Sequence, residues 1–72
     1  MRVQVSLETQ SDVIGFVKIA ESISENITLT DNNGLRVSAK SLLGVMYSLE
    51  FDEIWCECSI DVYQKIKQYI IE

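Results

Sequence analysis

A chain of 72 residues has room for one domain, with a core that only just offsets the entropy of ordering it. Its 47% hydrophobic and 24% charged residues exclude a disordered or fibrous chain. Eleven acidic against six basic residues give a net charge of −5, which repels phosphate backbones and anionic lipid, so neither nucleic acid nor membrane is an expected partner.

The first ten residues alternate apolar and polar side chains, with no long apolar run and no small-residue cleavage site. A signal peptide or membrane span is not expected there, and the expected location is cytoplasmic. Val3, Val5 and Leu7 alternate with Arg2, Gln4 and Ser6, the period-two pattern of a strand with one buried face. Thr9 or Ser11 can cap a helix with Asp12 in its first turn. Val13, Phe16, Val17, Ala20 and Ile23 then form an apolar stripe, which predicts a helix to about Ser24. Ile27 and Leu29 alternate with Asn26, Thr28 and Thr30. Asp31, Asn32, Asn33 and Gly34 follow as a turn, and Leu35, Val37 and Ala39 complete a β-hairpin.

Ser41 stands where an N-cap is wanted before Leu42, Leu43, Val45, Met46 and Leu49. Gly44 in that short helix permits close approach to a neighbour. One stripe cannot bury all five apolar residues, so some are expected to face a partner. Beyond the acidic break at Glu50 to Glu53, Ile54, Cys56 and Cys58 alternate with Trp55, Glu57 and Ser59 as a fourth strand. The two cysteines share a face there. A bridge between them would be strained, and a zinc site would need further ligands in a chain without histidine, so they read as reduced core residues and no metal is expected. Ser59 or Asp61 caps a last helix with Val62, Ile66, Tyr69 and Ile70 inside and Gln64, Lys65, Lys67 and Gln68 outside. The order is βαββαβα, an α+β chain in two layers. A four-stranded sheet of antiparallel type would have helices over one face and the other open to solvent.

This order resembles the HPr family, the small phosphocarriers of the bacterial sugar phosphotransferase system. The residues that carry the likeness are Asn33 and Gly34, Val37, the run Ala39, Lys40, Ser41, Leu42, Leu43, Gly44, Val45 and Met46, and Leu49. The resemblance implies one HPr-like domain over 1–72, built as an open-faced sandwich of four strands and three helices. A serine in this context is the family's regulatory serine, phosphorylated by a dedicated kinase. That makes Ser41 the phosphorylation candidate, and Lys40, Leu42, Leu43 and Met46 the candidate surface for a protein partner.

The family's carrier chemistry uses a histidine followed by arginine and proline at the start of the first helix. Alignment on that helix puts Thr9 at the histidine, Ser11 at the arginine and Asp12 at the proline; a one-residue shift would place Gln10 at the first position instead. None of these is a histidine. Thr9 and Ser11 form only low-energy phosphoesters, and the Asp12 carboxylate opposes an incoming phosphate. The resemblance therefore implies a degenerate site and a regulatory protein-binding module, neither an enzyme nor a carrier, with no cofactor. Its partner would be a transcriptional regulator, the HPr kinase or a component of the phosphotransferase system. The alternative is an unrelated ferredoxin-like βαββαβ domain for oligomerisation or small-molecule sensing. Tyr47 and Trp55 receive no role from the sequence.

Overall fold

The computed structural model describes residues 1–71. Strands β1 (Arg2–Val5), β2 (Thr28–Thr30), β3 (Arg36–Ser38) and β4 (Ile54–Glu57) form one antiparallel sheet in the order β1-β4-β2-β3. Helices α1 (Gln10–Glu21), α2 (Leu42–Ser48) and α3 (Ile60–Ile66) complete the βαββαβα order. The architecture is the open-faced α+β sandwich expected from the alternating runs.

Register explains the core. Cys56 lies opposite Val3 on one side and Leu29 on the other, and Leu29 lies opposite Val37, so these side chains emerge from one face. Phe16 and Ala20 of α1, Val45 of α2 and Ile66 of α3 are fully buried in the same cluster. Cys56 and Cys58 are both buried and unbridged. Burial, followed by the neighbouring Cys58, pushes the Cys56 thiol up to about 12, so at neutral pH it is an uncharged part of the core.

Several boundaries fall short of the expected ones. Leu7 is buried beyond the end of β1. Helix α1 stops at Glu21 rather than Ser24, because Ser22 turns its hydroxyl onto the Ile19 carbonyl at 2.6 Å, and Ile23 is buried past the helix end. Thr9, not Ser11, is the N-cap of α1, and Ser59, not Asp61, is that of α3. Leu35 is exposed beside the hairpin turn. Tyr69 and Ile70 are not helical partners of Val62 and Ile66. The helix ends at Ile66, a 3₁₀ turn covers Lys67–Tyr69, and the chain then runs against the edge of β1. There the Ser6 amide donates to the Tyr69 carbonyl at 2.7 Å and the Ile71 amide to the Gln4 carbonyl at 2.9 Å, covering an edge that would otherwise be open.

The opposite sheet face carries Gln4, Trp55 and Thr30 side by side, with the Arg2 guanidinium 4.5 Å from the Trp55 ring centroid. Arg36 and Glu57 make an exposed ion pair at 3.5 Å, which contributes little to stability. Among the described residues no helix is long and apolar enough to cross a membrane.

The β2–β3 turn is closed by Asp31, whose Oδ1 accepts from the amides of Asn33 at 2.8 Å and Leu35 at 2.9 Å. Gly34 follows with φ of 90°, where a Cβ would meet no atom within 4 Å. Gly34→Ala is therefore expected to cost about 1–2 kcal/mol through backbone conformation alone. Urea denaturation checks this, and a near-zero change would mean that the turn relaxes to a negative φ.

Candidate functional site

Two helix starts bear the residues that the sequence singles out, and their chemistry differs. At α1, the Asp12 amide donates to Thr9 Oγ1 at 3.1 Å, while Asp12 Oδ2 accepts from the amides of Thr9 at 3.2 Å and Glu8 at 2.9 Å. This is a complete capping box, formed because an acid three residues beyond the cap can reach back to the cap's own N–H. The amides of Glu8 and Thr9 hold the Asp12 carboxyl below its ordinary value of 3.8. The chain's own anion thus satisfies the cap amide and the one before it, and puts a negative charge beside the helix start that a phosphate would have to approach. Thr9 and Ser11 are exposed beside it.

At α2, Ser41 caps the helix by accepting from the Gly44 amide at 3.0 Å. No acid stands in the first turn, and the Ser41 amide donates instead to the Ser38 carbonyl at 3.1 Å. The preceding Lys40 amide donates to Ser38 Oγ at 3.2 Å, so β3 leads into the helix through a bonded corner. Ser41 itself is exposed.

The apolar side chains after Ser41 do not pack inward as a set. Val45 and Ser48 are buried, with the Ser48 hydroxyl on the Val45 carbonyl, whereas Leu42, Met46 and Leu49 are partly exposed and Leu43 is 80% exposed. Ile14 of α1 and Tyr47 join them on the surface. Gln10, Val13 and Ile14 on α1 and Leu42 and Met46 on α2 line a notch of about 100 Å³, room for one aliphatic side chain. Tyr47 is held edge-on to Phe51, ring centroids 5.8 Å apart, which presents it as a fixed aromatic.

The structure thus brings Ser41, Leu42, Leu43 and Met46 together at α2, with Lys40 at their rim, and places Thr9, Ser11 and Asp12 at the start of α1. Ile14 and Tyr47 went unnoticed in the sequence as parts of this surface. Ile14 carried a signal, being an apolar residue one place off the stripe of Val13, Phe16, Val17 and Ala20. Among the described residues no group of three His, Cys, Asp or Glu side chains is placed to hold a metal ion.

An open antiparallel sheet backed by three helices, with a serine-capped apolar helix on its surface, defines an HPr-like sandwich. The crystal structure of the phosphocarrier protein HPr from Bacillus anthracis str. Ames is similar over 99% of this chain and 94% of that one, with a TM-score of 0.66 and 28% identity. The fold of this protein is HPr-like. No family model matches the sequence, and no curated protein does so.

The two caps make separate predictions. The Asp12 carboxyl has its folded-state value depressed, so its contribution is present above the unfolded value and is lost as pH falls through the folded one. Asp12→Asn should accordingly be less stable than the parent at pH 7, with the difference shrinking below 3.8, as read by thermal melts across pH. Ser41→Ala should cost about 1 kcal/mol by loss of the cap, while Ser41→Asp, which caps as well as serine, should leave stability nearly unchanged. Chemical denaturation of the pair separates capping from charge.

Proposed function

We propose that this protein is a regulatory module of the HPr type, without phosphocarrier activity, that binds a protein partner through the outward face of α2. The observation that carries the reading is the exposure of Leu43 together with Leu42, Met46 and Tyr47 directly after an accessible serine. Large apolar side chains gathered on one surface are the usual anchors of protein contacts. The sequence has no histidine, so no phosphohistidine can form, and the Asp12 carboxylate sets a negative charge at the start of α1, bonded to the amides of Glu8 and Thr9.

Ser41 is the proposed phosphorylation site. Its Oγ is only an acceptor in the cap, which leaves the hydroxyl proton uncommitted. A phosphate there adds about 1.5 to 2 negative charges beside Lys40 and favours a partner bearing arginines. The partner classes that suit this are a transcriptional regulator, the HPr kinase and phosphotransferase-system proteins, and the reading makes the protein a binding module in the cytoplasm rather than an enzyme. The ferredoxin-like alternative has no observation in its favour, since the similarity to HPr spans nearly the whole chain.

Two incubations test the proposal. With Enzyme I and phosphoenolpyruvate the protein should gain no acid-labile phosphate. With the HPr kinase and ATP it should gain an acid-stable phosphate that Ser41→Ala abolishes. An acid-labile phosphate, or no labelling by the kinase, would overturn the corresponding half. Leu42→Ala and Leu43→Ala should weaken binding to the kinase by roughly 1–2 kcal/mol, measured by calorimetry, while leaving the melting temperature nearly unchanged.

A further inference from the structure

The charges that flank α2 run against the helix's own dipole. Lys40 stands before its positive end and Glu50 after its negative end, the reverse of the favourable order, with no acid in the first turn and no base in the last to correct it. Among the described residues neither side chain is in an ion pair, the pair present being Arg36 with Glu57. Within one chain this arrangement is unfavourable. Against a second α2 lying antiparallel it becomes complementary, because each Lys40 then meets a Glu50 and each helix end meets the opposite end of the other dipole.

The apolar pattern has the same symmetry. Lys40 and Glu50 are equally far before and after Val45, and so are Leu43 and Tyr47. A two-fold axis at the level of Val45, on the side of the helix away from its buried side chain, sets Leu43 against Tyr47 of the second copy and brings the turn that carries Lys40 beside the turn that carries Glu50. Leu43 and Tyr47 form one row on the helix surface and Leu42 and Met46 the next, so the row of one helix can lie in the groove between the two rows of the other. Leu43, the most exposed of these side chains, then closes over the notch beside Leu42 and Met46.

We propose that the outward face of α2 is the contact surface of a two-fold homodimer, with Leu43 on Tyr47 and the notch, and Lys40 on Glu50. Residue i meeting j while j meets i is what an isologous interface requires. A helix of seven residues spans only about 10 Å, far less than a standard interface, so the association is weak and concentration-dependent. Because the dimer covers the face assigned above to docking, it would close the module to its partner. That consequence rests on the docking reading, whereas the dimer itself does not.

Sedimentation equilibrium of the chain alone, up to about 1 mM, tests the dimer without any partner present. The mass should rise toward twice the monomer. Leu43→Ser, a change at an exposed site, should weaken association at least about tenfold with an unaltered melt. Lys40→Glu and Glu50→Lys should each weaken it, and the double exchange should restore it to within about twofold of the parent. A chain that stays monomeric throughout, a Leu43→Ser dimer as tight as the parent, or a double exchange no better than the single changes would overturn the proposal. Kinase binding that survives in a strictly monomeric chain would leave docking intact and remove only the dimer.

Discussion

The close seat of α2 on the hairpin is the constraint from which the surface of this protein follows. A Cβ on Gly44 would lie 3.2 Å from Val37 Cβ and 3.2 Å from Ser41 Cβ, so the helix backbone is pressed against β3 at the one position that has no side chain. A short helix held that near the sheet has little inward surface left. Val45 and Ser48 fill it, and Ser48 belongs there because its hydroxyl is satisfied within the helix by the Val45 carbonyl at 2.5 Å. Every other large side chain must look out. The exposure of Leu42, Leu43, Met46 and Tyr47 is thus a product of the backbone approach, and no loose packing is needed to explain it.

The starts of α1 and α2 are a controlled contrast. At α1 the third residue beyond the cap is Asp12, and it satisfies the amides of Glu8 and Thr9 while adding a negative charge. At α2 the corresponding residue is Gly44, which offers its amide and nothing more. A phosphate on Thr9 would face a carboxylate at hydrogen-bonding range of the same amides, whereas one on Ser41 would have only Lys40 close in sequence. Electrostatics therefore separates two chemically similar hydroxyls, and it does so in favour of Ser41.

Periodicity made the strands and helices legible, because alternation with one buried face and stripes at helical spacing are direct imprints of packing. Endings were less legible, since they depend on partners far away in sequence. Tyr69 and Ile70 fit a helical stripe on α3 as well as they fit the edge of β1, and only the open hydrogen-bonding groups of Gln4 and Ser6 decide between them. Choosing Thr9 over Ser11 as the cap needed the reach of Asp12 back to the amide of Thr9. The α2 surface was half legible. Too many apolar residues for one stripe signalled exposure, but which of them turn inward depends on where Gly44 meets Val37, a contact that no local pattern encodes. Trp55 was unreadable for the same reason, because its environment is Arg2 and Thr30 across two strands.

Net charge sets the scale of any association through the α2 face. Two copies at −5 each repel over the whole surface, while Lys40 and Glu50 attract only where the helices meet. The two effects respond differently to single substitutions. Lys40→Glu increases the negative charge of the chain and removes the local attraction, so both terms weaken the dimer and neither can be isolated. Glu50→Lys lowers the overall repulsion yet places like charges together at the contact, and because the local term acts at short range while the long-range one is screened, this change weakens the dimer too. The double exchange leaves the net charge unaltered and reverses the local pair, isolating the contact from the background. Salt cannot make that separation, because it screens the repulsion and the attraction together, and the sign of its effect reports only which is larger.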